Sequence, residues 1–304
     1  MNPYKYESAP DRGEIQLKKE TRDYLQYKVR LTNPLDIAHP ENEVIHGDYY
    51  LPKSGENHPL IILVHGMGDY SRIPCSLLAR KLVKQNITCF VPYLTIHSKR
   101  LPKAYKADMP YLTPQQWFEV YRISVVDIRR IIDWSSGRNE INQEKIYIAG
   151  ISFGGFVSSV TMGVDKRIKA GILIVTGGNA NKISWLSKSN QYRNKYPRTE
   201  SEHNTVLEKY SQYLEDVKKL GFDNVDAEDI SFYSDPLTFA GDLRDRPVLM
   251  INAEKDKYLH KETVIELWEA LEKPRIKWIS AGHVTLWFQY SFIYKTISEF
   301  LKSL

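Results

Sequence analysis

The sequence predicts an α/β fold built on a mostly parallel central sheet with helices on both faces, and three observations carry that expectation. Apolar runs recur at residues 60–66, 87–92, 145–151, 170–176, 247–253 and 275–280, too short for ordinary helices and bounded by turn residues. Helical patterns lie between several of these runs, and such alternation implies right-handed crossovers rather than hairpins. Several runs end in serine, histidine or carboxylate residues, placing reactive groups at the strand ends where open parallel sheets hold their sites.

In chain order, residues 24–33 and 43–52 have alternating or apolar character with Tyr and Val. They predict two leading antiparallel strands joined through Asn33-Pro34 and extending the sheet at one edge. Leu60 to Gly66 reads as a buried strand, and His65-Gly66-Met67-Gly68-Asp69 as its loop. From Ser71 to Gln85, Ile73, Leu77, Leu78, Leu82 and Val83 recur at roughly helical spacing. After the strand at 87–92, a long loop over 93–111 should leave the sheet on the strand-end rim. His97 and Arg100 in that loop are candidates for contacting a polar or anionic group. Thr113 is the expected N-cap of a long amphipathic helix to Ser136, with Pro114 in its first turn and Trp117, Val120, Ile123, Val125, Ile128, Ile131 and Ile132 repeating along it. Between Thr176 and Pro247 there is more chain than one crossover needs. Its first part, 177–199, is polar and irregular. Residues 203–220 predict a helix with Val206, Tyr210, Tyr213, Leu214 and Val217 on one packed face.

The chemistry concentrates on Gly150-Ile151-Ser152-Phe153-Gly154, a Gly-x-Ser-x-Gly turn between an apolar strand and a small-residue helix. Glycines two positions either side of Ser152 let the chain reverse sharply and expose the hydroxyl, while the Phe153 N–H faces the substrate from a helix N-terminus. Met67 N–H, in the loop after the 60–66 strand, is the candidate second oxyanion donor. A serine hydroxyl is a poor nucleophile at neutral pH and needs a base; imidazole suits that task when a carboxylate fixes its tautomer. His283 follows the strand at 275–280 through Ala281-Gly282, and Glu254 and Asp256 follow the strand at 247–253, so all can reach the rim of Ser152. The order serine, acid, histidine differs from the two other well-known serine triad orders.

Over roughly residues 45–304 the chain resembles the alpha/beta hydrolases, and within them esterases grouped with dienelactone-hydrolase-like and prolyl-oligopeptidase-like catalytic domains. The resemblance rests on Leu-Val-His-Gly-Met-Gly at 63–68, Ala-Gly-Ile-Ser-Phe-Gly-Gly at 149–155, Asn-Ala-Glu-Lys-Asp at 252–256 and Ser-Ala-Gly-His at 280–283. It implies Ser152 as nucleophile, Asp256 rather than Glu254 as the acid, His283 as base, and Met67 and Phe153 as oxyanion-hole amides. It also implies an alpha/beta-hydrolase fold in one domain, 1–304, with residues 178–235 forming a small helical cap over the Ser152 rim. Trp185, Tyr192, Phe232 and Tyr233 in that cap hint at an apolar pocket, and Trp287, four positions past His283, reads as core or pocket wall. Dienelactone hydrolases proper use a cysteine nucleophile; serine here makes ester cleavage the default.

Composition fits a globular enzyme of 304 residues, with 42% hydrophobic residues and a mean hydropathy of −0.43. No apolar stretch approaches the roughly 20 residues that span a bilayer, and the polar first residues lack a signal-peptide core, so a cytoplasmic protein without membrane partners is expected. Cys75 and Cys89, in a predicted helix and a predicted strand, read as buried free thiols. The net charge of +5 is spread among many acids with no aromatic-studded basic stripe, which argues against nucleic acid. The eight histidines show no paired metal-ligand spacing. Neither a cofactor nor a metal is expected. The leading function is hydrolysis of small-molecule esters through an acyl-enzyme on Ser152. A peptidase or aminoacyl hydrolase using the same groups, and a silent binding protein of the same fold, are the alternatives.

Overall fold

A computed structural model describes residues 2–8, 12–68, 71–106, 112–187 and 197–304. Its centre is a nine-stranded sheet in the order β1-β2-β3-β5-β4-β6-β7-β8-β9. The strands are β1 Glu14–Glu20, β2 Tyr24–Thr32, β3 Val44–Pro52, β4 His58–Val64, β5 Thr88–Pro92, β6 Ile141–Ile151, β7 Ile168–Ile174, β8 Val248–Ala253 and β9 Arg275–Ile279. From β5 to β9 all neighbours are parallel, whereas β1, β2 and β3 pair antiparallel and join through β3 to β5. Every residue from Leu60 to Val64 is buried, as a strand covered on both faces requires.

Around the sheet run α1 Arg72–Leu82, α2 Pro114–Ser136, α3 Phe153–Val164, α4 Ala180–Leu186, α5 Glu200–Leu220, α6 Ala240–Leu243, α7 Lys261–Ala270 and α8 Tyr290–Lys302. The predicted start of α2 is present in full. Thr113 caps it, its side chain accepting the Gln116 N–H at 3.2 Å while the Gln116 side chain takes the Thr113 N–H at 2.8 Å, and Pro114 opens the first turn. The parallel sheet, the two leading strands and the long helix thus follow the sequence pattern.

One strand was not foreseen. All of β1 is exposed, with only Ile15 and Leu17 alternating against lysine, glutamine and glutamate, so it carries no buried face from which a period could be read. Its charge and the register shift between Leu17 and Lys19 are what an unprotected sheet edge needs.

The excursion between β7 and β8 packs on itself and on α2 and α3. Tyr210 and Tyr213 of α5 are buried against Phe232, with ring centroids 4.6 and 5.4 Å away. Phe222 lies 4.6 Å from Phe239 and 5.9 Å from Tyr233, and Tyr233 lies 5.9 Å from Phe118 of α2. Tyr4, fully buried, packs between Phe118, Phe222 and Phe239 and donates its hydroxyl to the Tyr233 carbonyl at 2.8 Å. Phe232 therefore fills the interior of the excursion and not a pocket wall. Tyr192 lies outside the described residues. Buried Asp235, at the far end, accepts N–H bonds from Asn179, Ala180 and Leu237, closing the neck of the excursion.

Cys75 and Cys89 are free and buried, and burial pushes both thiols up. Among the described residues no helix is long and apolar enough to cross a membrane.

Candidate active site

Ser152 stands between β6 and α3 at φ 53° and ψ −119°. A non-glycine residue at positive φ costs on the order of 1–3 kcal/mol, so the surrounding contacts must impose it. They do so through close approach. A Cβ at Gly150 would overlap the Gly154 carbonyl oxygen and Ser158, and one at Gly154 would overlap the Val64 and His65 carbonyl oxygens. The two motif glycines thus let α3 start hard against the end of β4. The Ser152 N–H is held by the Ile174 carbonyl at 2.8 Å.

Three predicted residues meet in one chain of hydrogen bonds. His283 Nε2 lies 2.8 Å from Ser152 Oγ, and its Nδ1 lies 2.6 Å from Asp256 Oδ2. The carboxylate can only accept, so Nδ1 carries the proton and Nε2 receives the serine O–H. Asp256 Oδ1 accepts the N–H groups of Tyr258 at 2.9 Å and Leu259 at 3.0 Å, which fixes the carboxylate and aims Oδ2 at the imidazole. Neighbouring backbone bonds from Glu254 to Ile279 and from Lys255 to Ala281, each 2.9 Å, hold the β8 and β9 loops together. Glu254 is exposed while the Asp256 side chain is only 4% exposed, so the loop itself selects Asp256.

The loop after β4 runs beside the serine: a Cβ on Gly66 would stand 3.4 Å from that of Ser152 and 3.1 Å from the Ile151 carbonyl oxygen. Met67 follows, with 40% of its surface exposed. Phe153 is the first residue of α3, where an amide has no intrahelical acceptor, and its ring is buried 4.9 Å from Tyr121. His65 organises this loop through its side chain. Its Nε2 accepts the Leu94 N–H at 3.2 Å, so Nδ1 bears the proton and donates to the Gly66 carbonyl at 2.7 Å. Ser71 Oγ lies 3.0 Å from the same nitrogen.

Burial, and next the His97 ring 4.3 Å away, hold the His65 pKa well below 6.5. In the unfolded chain His65 takes up a proton below about pH 6.5, whereas the folded chain resists it. Its contribution to stability is therefore complete above that pH and declines as pH falls. His46, pulled down to about 4 chiefly by burial and then by nearby arginines and lysines, acts in the same direction between about 6.5 and 4. Urea unfolding at pH 7.5 and 5.5 should show a lower unfolding free energy at 5.5. The drop should be smaller in His65→Gln; an equal drop would contradict this assignment.

Two other predicted residues lie elsewhere in function. Arg100, expected to contact a polar or anionic substrate group, is fully buried and paired with Asp127 of α2. Its guanidinium also donates to the carbonyls of Tyr93 at 2.7 Å and Asn42 at 3.1 Å, so its charge is consumed inside the protein. His97, 3% exposed, packs edge-on against His65 behind the loop and not at a solvent-facing mouth. In both cases the loop folds inward because buried polar groups receive them. Trp185 stacks on His203 at 4.4 Å and 9°, joining α4 to α5, and Trp287 is half-buried against the core in the turn after His283. Tyr258 escaped the sequence reading. Its ring is 52% exposed and 5.3 Å from that of His283; its only signal was a place two residues after Asp256.

Residues 14–303 match the family described as Alpha/beta hydrolase domain containing 18. The chain belongs to that family. Among curated proteins, an uncharacterized protein of Mycobacterium tuberculosis is 28% identical over 237 residues, 75% of this chain and 50% of that protein. The chain thus spans about half the length of that relative. Among solved structures, an acetyl xylan esterase from Paenibacillus superposes with a TM-score of 0.69 at 16% identity, covering 97% of this chain and 89% of the esterase. An acylaminoacyl peptidase from Pyrococcus horikoshii gives 0.63 at 15% identity, covering 93% of this chain and 42% of the peptidase. At these identities the structural likeness speaks for the alpha/beta-hydrolase fold. Esterases and a peptidase are thus among the structural neighbours of this family member.

Proposed function

We propose that the chain is a serine hydrolase that cleaves carboxylic esters of small molecules through an acyl-enzyme on Ser152. The observation that carries this reading is the relay from Asp256 through His283 to a serine held at positive φ. Ser152 Oγ attacks the ester carbonyl carbon as its proton passes to His283 Nε2. The oxygen that becomes negative accepts hydrogen bonds from the Met67 and Phe153 N–H groups. Collapse expels the alcohol, which takes the proton from Nε2. Water then attacks the acyl group with the same nitrogen as base, releasing the acid and restoring the serine. Asp256 stays ionised throughout and holds the imidazolium.

Residues 178–235 act as a cap within a single domain, supported by the neck that Asp235 closes and by the aromatic interior that lets the excursion pack as a unit. Amide cleavage is the second reading, favoured by the likeness to an acylaminoacyl peptidase. One panel decides between them: 4-nitrophenyl esters of graded acyl length beside acylated aminoacyl 4-nitroanilides. Turnover of the esters at least a hundredfold above that of the anilides is expected. Comparable or faster anilide cleavage would transfer the assignment to a peptidase, and no turnover of either would point to a binding protein of the same fold.

A further inference from the structure

A second charged assembly stands on the same rim, outside the triad. Tyr93 directly follows β5, and its N–H bonds the His46 carbonyl at 2.8 Å, so it lies where β3 and β5 meet at the strand ends. Two cations lie against it and a third approaches its partner Asp48. The Arg72 guanidinium lies over its ring at 3.8 Å, Lys28 Nζ lies 4.7 Å from the ring centre and donates to the Tyr93 hydroxyl, and Lys18 reaches to 3.9 Å from Asp48. Asp48, only 8% exposed at its side chain, is the anion they share: it pairs with Lys28 at 2.8 Å and accepts from Tyr93 at 3.0 Å and Gln26 at 3.1 Å. Three positive groups against one carboxylate leave a local excess of two charges, and the Lys18 ammonium is correspondingly disfavoured, first by burial and then in part by Lys28 and Arg72.

Arg72 is the member with capacity to spare. The centre of its guanidinium lies 3.8 Å over the Tyr93 ring, a contact made through π-electrons and not through hydrogen bonds, and a guanidinium can take a carboxylate or phosphate by two parallel N–H bonds. Among the described residues no carboxylate pairs with it and no group accepts a hydrogen bond from it. The assembly is open to solvent, since half of the Lys18 side chain and a third of the Lys28 side chain remain exposed. It also adjoins the reaction site. Arg72 opens α1 directly after Ser71, whose Oγ touches His65, and Leu94, next to Tyr93, supplies the N–H that fixes the His65 ring.

We propose that Arg72 and Lys28, set against Tyr93 beside the loop after β4, and Lys18 across Asp48 bind an oxyanion carried by the substrate, so that the esters cleaved here bear a carboxylate or phosphate group. This rests on the hydrolase reading above and narrows its substrate class. Asp48 sets the net charge low enough for the lysines to stay together, and Arg72 supplies the directional contact.

Two ester pairs test it, one charged on the acyl side (4-nitrophenyl hydrogen succinate against 4-nitrophenyl butyrate) and one on the alcohol side (3-acetoxybenzoate against phenyl acetate). The ratio of kcat/KM for the anionic over the neutral ester should fall about tenfold in Arg72→Gln in at least one pair, and by less in Arg72→Lys, which keeps the charge but loses the fork. Competition separates the sources: inhibition relieved in Arg72→Gln should be stronger by inorganic phosphate if the ligand is a phosphate, and by succinate if it is a carboxylate. Ratios within twofold of the parent in both pairs would overturn the proposal. If the parent cleaves none of these esters, the ester reading falls, and titration calorimetry of the full chain with inorganic phosphate and with succinate still reads the cluster. About tenfold weaker binding of either anion in Arg72→Gln then supports it, and affinities equal to the parent's, or no binding of either, overturn it.

Discussion

Ser152→Ala is expected to lower kcat for 4-nitrophenyl esters by about four to six orders of magnitude, the range seen when a triad nucleophile is removed. The size follows from the mechanism. Without Oγ there is no acyl-enzyme, and His283 Nε2, now lacking its 2.8 Å partner, can at best activate water against a bound ester. The oxyanion amides and binding contacts would persist and leave a residual rate above that in water. The fold should be little affected, because Ser152 shapes the turn through its backbone and alanine has the same Cβ. Unfolding free energy within about 1 kcal/mol of the parent is expected for such a change. A variant that keeps a tenth or more of the parental rate would show that another group does the chemistry.

Arg100→Met should instead destabilise the whole domain by about 3–5 kcal/mol, the usual consequence of leaving one partner of a buried ion pair uncompensated. Among the described residues, Asp127, completely enclosed, would keep Asn33 Nδ2 at 2.6 Å as its one donor, and the carbonyls of Tyr93 and Asn42 would lose theirs. Urea unfolding measures the loss directly. Removing both charges in Arg100→Met/Asp127→Leu should recover part of it, since two well-packed apolar groups carry no stranded charge. A single variant as stable as the parent would contradict the internal role of Arg100 and return it to the candidates for substrate contact.

Arg100 also shows where the sequence stopped being informative. An arginine in a long polar loop is most simply read as facing water or a ligand, and nothing local marks Asp127, 27 residues on and inside α2, as its partner. His97 was opaque for the same reason: its neighbour His65 comes from another strand end. By contrast, the strand ends were legible because buried parallel strands are continuous apolar runs, and the residues following them must lie on a common rim. That is why Ser152, Asp256 and His283, separated by 104 and 27 positions, could be named from the chain and are found within 2.8 Å of their neighbours in the relay. The strand β1 was invisible because an exposed edge has no apolar side to betray it. The hint of an apolar pocket that Phe232 gave left its direction open, because aromatic content does not encode direction; its ring faces Tyr210 and Tyr213.

The relay also separates roles that composition could not. His65 and His283 both follow sheet strands, yet burial favours the neutral form of the first, which braces the loop after β4, whereas the second keeps 16% of its side chain exposed between a carboxylate and a serine. The proposed base must reach both substrate and water, and of these two histidines it is His283 that keeps an exposed face beside Ser152.

The most direct measurement is peptide mapping by mass spectrometry after reaction of the full chain with a fluorophosphonate probe. One adduct is expected, on the peptide that contains Ser152, strongly reduced in His283→Ala and absent in Ser152→Ala. Ester turnover by a chain that takes no label at Ser152, or that is labelled at another residue, would contradict it.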